Sequence, residues 1–107
     1  MGGEFIYKEM PMAEGNREIR VEMRKELAGG VYANSLRITH TPEEFVLDFI
    51  MIAPPAGDVT ARVITSPGHM KRILSALKEN LRKYEEKYGK IKPSVEPAQE
   101  GHIGFKP

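Results

Sequence analysis

Apolar and charged residues alternate one for one over residues 18–24. Ile19, Val21 and Met23 fall on one side of an extended chain and four charged residues on the other, which predicts a half-buried strand. Gly29-Gly30 then suits a turn, because glycine tolerates positive φ. Residues 31–39 are rich in β-branched and aromatic side chains and predict a second strand. The run His40-Thr41-Pro42-Glu43-Glu44 predicts a tight reversal, since Pro42 fixes φ and cannot donate to a strand ladder. Residues 45–52 predict a third strand, with Phe45, Leu47, Phe49 and Met51 on one face and Val46, Asp48, Ile50 and Ile52 on the other. Pro54-Pro55 and Gly57-Asp58 break the pattern and predict an exposed loop, after which residues 59–65 have the composition of a fourth strand.

The period changes after Ser66-Pro67. A serine hydroxyl caps free N–H groups, and proline at the first helical position loses no hydrogen bond, so a helix is predicted to start there. Met70, Ile73, Leu74, Leu77, Leu81, Tyr84 and Tyr88 recur at helical spacing and gather into one apolar stripe, expected to face a core. Gly89 suits the end of that helix, and Glu79 with Lys83 is expected to pair four residues apart on the outer side. Residues 1–16 and 92–107 show no sustained period and are expected to be a flexible arm and a Pro/Gly-rich tail. The fold class expected is α+β, a four-stranded antiparallel sheet followed by one long C-terminal amphipathic helix, built as a single domain over residues 17–91.

A length of 107 residues supports one modest core. Without cysteine there is no disulfide framework or thiol chemistry, and the commonest ligands of structural zinc are missing. No run approaches the roughly 18 to 20 apolar residues that span a bilayer, and the first ten residues do not read as a secretory leader, so a cytoplasmic protein with no membrane role is expected. The net charge of +1 hides an asymmetry. Residues 1–66 carry seven Lys/Arg against ten Asp/Glu, whereas residues 67–90 carry seven against three. The basic helix therefore offers Lys71, Arg72, Lys78, Arg82 and Lys83 as candidate phosphate contacts, although three glutamates among them also fit a solvated face.

One helix covers one face of a sheet. Val46, Ile50 and Ile52 lie on the side opposite the Phe/Leu row, where Ile64 joins them, and are expected to form an interaction surface. A homo-oligomer, first of all a twofold dimer, covers such a patch economically; the alternative is that Phe5, Ile6 and Tyr7 of the arm, or Ile103 and Phe105 of the tail, fold over it.

Candidate chemistry is sparse. His40, His69 and His102 are scattered without metal-ligand spacing. His40 beside Glu43, Glu44 and Asp48 resembles an acid/base cluster only in sequence, and a polar turn explains it. Asp48 interrupts an apolar strand face and needs a partner such as Arg62 or Arg37 if it is buried. Ser66 has the place of a helix cap and no nucleophile-elbow context. No catalytic residue, metal or cofactor is expected.

The runs V-Y-A-N-S-L-R-I-T-H-T-P-E-E-F-V-L-D-F at residues 31–49, A-R-V-I-T-S-P-G-H-M-K-R at residues 61–72 and E-N-L-R-K-Y-E-E-K-Y-G at residues 79–89 resemble a short prokaryotic family of unknown function. Asn34, His40, Pro42, Glu44, Asp48, Arg62, Ser66, Pro67 and Lys71 match its pattern, which carries no established activity. More remotely, the strands before a long helix are similar to the homo-oligomeric SecB-type export chaperones, a likeness of shape. The chain is expected to be a non-enzymatic, homo-oligomeric module that binds a protein or peptide, with nucleic-acid binding through the helix as the alternative.

Overall fold

The computed structural model describes residues 5–11, 18–95 and 97. The chain divides into two units, Met1–Val31 and Tyr32–Pro107. In the first, β1 (Phe5–Pro11) pairs antiparallel with β2 (Glu18–Met23), from Phe5 opposite Met23 to Pro11 opposite Glu18, with a register slip between Tyr7 and Met10. Part of the expected arm is therefore strand; residues 1–4 and 12–17 lie outside the described residues. A single 3-10 turn, Lys25–Leu27, follows β2.

The second unit holds β3 (Ser35–His40), β4 (Phe45–Ala53) and β5 (Ala56–Thr65) in an antiparallel sheet of order β3-β4-β5, then α1 (Pro67–Tyr88). The class is α+β, but the strands do not make one four-stranded sheet. Alternation in residues 18–24 requires a strand and leaves its neighbour open; β1 takes that place. Gly30, at φ 71°, sits in the irregular segment between β2 and β3.

The β3–β4 hairpin closes on Thr41, whose hydroxyl accepts the N–H groups of Glu43 and Glu44 at 3.2 Å while its own N–H donates to the Glu44 carbonyl at 2.9 Å. This is the reversal the sequence predicts. The next turn is tighter than the exposed loop expected: β5 begins at Ala56, directly after Pro54 and a cis Pro54-Pro55 peptide. Gly57 enters the ladder opposite Ile52, where a Cβ would stand 3.2 Å from Ile52 Cγ1, a contact tight enough that the Ile52 side chain would have to shift. A bulge between Phe49 and Ile50 adds Thr60 to β5, and its hydroxyl donates to the Phe49 carbonyl at 3.1 Å.

β3 starts four residues later than the composition of residues 31–39 suggests. Asn34, just before it, completes the ladder by other means. Its N–H donates to the Ile50 carbonyl, Nδ2 donates to the Ile52 carbonyl at 3.0 Å, and Oδ1 accepts the Ile52 N–H at 2.9 Å. A carboxamide has the donor and acceptor of a peptide group, so Asn34 pairs with β4 through its side chain.

α1 begins as predicted, with Ser66 Oγ accepting the His69 N–H at 3.2 Å and Pro67 in the first turn, and it ends at Gly89, φ 100°. It buries none of its residues and does not pack broadly on any strand of its unit. Of the apolar stripe expected to face a core, Met70 and Ile73 are half-buried, and Leu74, Leu77, Leu81, Tyr84 and Tyr88 are exposed. Residues 92–95 belong to neither helix nor strand, and most of the expected tail, with His102, Ile103 and Phe105, lies outside the described residues.

Candidate interaction surfaces

Register decides which side chains share a face of the three-stranded sheet. Leu36 stands opposite Phe49, and Ile38 and Val63 flank Leu47 from the two edges. Leu47, on the middle strand, is 6% exposed, whereas Leu36, Ile38 and Val63 on the outer strands are each 45–46% exposed. This face is apolar across all three strands.

The other face carries Val46, Asp48, Ile50 and Ile52 of β4, with Arg37 of β3 and Arg62 and Ile64 of β5. Ile50 and Ile52, expected at an exposed surface, are 3% and 9% exposed and belong to the buried core; Val46 is half-buried. Ile64 alone of that expected set is well exposed, at 54%. The apolar side chains left at the surface of this sheet are therefore mostly on the Leu36–Ile38–Val63 side, which the sequence reading assigned to the helix.

Asp48 is almost wholly covered, and its partner is one of the two expected. Arg62 Nε donates to Oδ1 at 2.6 Å and Nη2 to Oδ2 at 3.0 Å, a fork on a carboxylate. These hydrogen bonds hold the Asp48 carboxyl below its ordinary range against the opposing effect of burial, and the charges of Arg62 and Arg37 add to the lowering. The same pairing raises the Arg62 guanidinium. His40 lies opposite Phe45, its ring 5.3 Å from the phenyl centroid, so strand alternation puts it on the face away from Asp48. Glu43 and Glu44 are exposed in the turn. The four residues that neighbour one another in sequence are not assembled into an acid/base site. Among the described residues no group of three or more His, Asp or Glu is placed to hold a metal.

On α1, Lys71, Lys78 and Lys83 are exposed, but two of the candidate phosphate contacts have partners. Arg82 binds Glu79 through Nε and Nη2, at 3.2 and 2.7 Å, and Glu86 through Nη1. Arg72 Nη2 lies 2.8 Å from His69 Nδ1. Glu79 thus pairs with Arg82, three residues on, and not with the expected Lys83, because a planar guanidinium binds both carboxylate oxygens at once. Arg82 lowers the Glu79 carboxyl and is itself raised. Past the helix, the Ile91 N–H donates to Glu85 Oε2 at 3.0 Å, and Ile91 closes a shallow apolar groove with Leu77, Leu81, Tyr84 and Tyr88.

Two features escaped the sequence reading. Asn34 was visible as a motif residue, yet its use as a strand pair depends on register. Leu36 and Ile38 were visible as alternation in residues 35–39, whereas their sharing a face with Val63 depends on register and their openness on the folded structure.

Residues 6–93 match a family model described as protein of unknown function. No curated protein and no solved structure matches the chain. No described helix is long and apolar enough to cross a membrane.

Proposed function

The chain belongs to that family of unknown function, DUF3467, and from this premise we propose that it is a non-enzymatic, homo-oligomeric module whose three-stranded sheet offers an apolar face to a protein or peptide. One observation carries the reading: Leu36, Ile38 and Val63, drawn from both edges of the sheet, stand about half exposed around Leu47. Each has a little under half of its surface left to cover, worth on the order of 1 kcal/mol apiece, and contiguous apolar patches are usually where soluble proteins bind. The ligand that suits an apolar sheet face is an extended segment bearing alternate aliphatic side chains, as a chaperone-like module in the cytoplasm would meet. The amphipathic character of α1 supplies a second apolar surface for assembly. Nucleic-acid binding along α1 is the weaker reading, since Arg82 is held by two carboxylates and the exposed lysines are interspersed with glutamates.

The test is binding of a fluorescent, unfolded apolar peptide to the full chain, read by anisotropy, with light scattering on the same samples. Ile38→Lys and Val63→Lys are expected to abolish peptide binding at unchanged helix and strand content. A parent chain that is strictly monomeric at micromolar concentration and binds no such peptide refutes the proposal. Binding to random DNA or RNA that weakens steeply with salt and survives both substitutions favours the nucleic-acid reading instead.

A further inference from the structure

The spacing of the α1 stripe differs from what a sheet requires. Met70, Leu74, Leu77, Leu81, Tyr84 and Tyr88 are separated by four, three, four, three and four residues, the repeat of the seam positions in a two-stranded coiled coil. Ile73 widens the row only in its first turns, because the later positions on that flank are Asn80 and Lys87; beyond it the row is narrow and fits another helix, whereas a helix resting on a sheet usually carries a wider stripe. From Leu74 to Tyr88 these side chains are 50–65% exposed. Away from the seam, Glu79, Arg82 and Glu86 form an ion-paired row suited to water.

We propose that α1 pairs antiparallel with α1 of a second copy, about a twofold axis at residue 79. Met70 then faces Tyr88 of the partner subunit, Leu74 faces Tyr84 of the partner subunit, and Leu77 faces Leu81 of the partner subunit. Each tyrosine meets a slimmer or more pliable side chain, so the layers have nearly equal volume. Parallel pairing in register stacks tyrosine on tyrosine at one end and methionine on methionine at the other, leaving uneven packing. Charge agrees with the antiparallel arrangement. Lys71, Lys78 and Glu85 flank the seam, and the reversal brings Lys71 beside Glu85 of the partner subunit twice, against one like-charge meeting of Lys78 with Lys78 of the partner subunit. The two helix dipoles also oppose each other, whereas parallel helices align like ends. Tyr84 and Tyr88 lie toward the outer ends of the pair, where their hydroxyls reach water. The inference rests on the homo-oligomeric part of the reading above and places assembly on α1, leaving the sheet face for the ligand.

Sedimentation equilibrium of the full chain tests it. Leu77→Lys combined with Leu81→Lys is expected to raise the dimer Kd by more than about a hundredfold, from the apolar burial forfeited in both subunits. Ile38→Lys is expected to leave the dimer intact. Because α1 buries none of its residues within the subunit, strand content by circular dichroism should be unchanged in the double variant, and Ile38→Lys should keep it because Ile38 is nearly half exposed; should the double variant fail to fold, cross-linking decides. The natural chain has no cysteine, so Met70→Cys and Tyr88→Cys chains can be mixed and oxidised. Disulfides between unlike chains are expected, and disulfides confined to like chains overturn the antiparallel pairing. A dimer that survives the double lysine variant, or that is lost on Ile38→Lys alone, overturns the inference while peptide binding to the sheet still stands. A monomeric parent chain overturns it together with the homo-oligomeric part of the proposed function.

Discussion

Asn34 and Asp48 show how single side chains finish what the backbone begins. Asn34 gives β4 one more pair of hydrogen bonds than its own main chain supplies, both to Ile52. Replacing it by alanine strands the Ile52 N–H and carbonyl, and Asn34→Ala is expected to cost about 1 to 3 kcal/mol in urea unfolding. An unchanged midpoint would mean that water replaces the carboxamide. Asp48 makes a prediction in pH. Its carboxyl titrates lower in the folded chain than the ordinary 3.8, chiefly because Arg62 hydrogen-bonds to it. A group with a depressed folded pKa stabilises the fold fully above the unfolded value and loses that contribution as pH falls through the folded one. Asp48→Asn is therefore expected to lower the melting temperature at neutral pH, with the gap to the parent closing below about pH 4. A gap that is the same at every pH would assign the loss to shape and not to charge.

At the scale of elements, α1 differs from the strands in what holds it. Each strand has a neighbour, whereas α1 relies within its subunit on its own hydrogen bonds, its caps and its ion pairs. A helix with little tertiary packing lacks the main source of helix stability in proteins. Losing its cap should therefore be felt locally. Ser66→Ala is expected to cost about 1 kcal/mol of helix stability, seen as faster amide exchange in the first turns of α1 while amides of β4 exchange as before. If β4 loosens equally, sheet and helix unfold as one unit and α1 is not held independently.

For the whole molecule, two similar side chains on opposite sheet faces have different roles. Ile50 is buried, and Ile50→Ala is expected to cost about 2 to 5 kcal/mol. Ile38 is nearly half exposed, and Ile38→Ala is expected to change subunit stability by well under about 1 kcal/mol while weakening the binding proposed for its face. Thermal melts at concentrations that keep the chain monomeric separate the two. Equal losses would mean that the Ile38 face is also part of the subunit core.

The order of elements from residue 18 onward was written in local pattern. Alternation of period two marks β2 and lays out the two faces of β4; β-branched composition marks β3 and most of β5; Thr41-Pro42 marks a hairpin; Ser66-Pro67 and Gly89 mark the ends of α1. The need of Asp48 for an arginine was legible too, since a carboxylate on an apolar strand face requires a partner wherever the fold places it. Periodicity, however, says which side chains share a face and not what lies over that face. Pairing of β2 with β1, the strand-like use of Asn34, the burial of Ile50 and Ile52 and the exposure of Leu36, Ile38 and Val63 depend on contacts between residues far apart in sequence. Those contacts are set by register and by where the helix travels, and tertiary structure alone decided them.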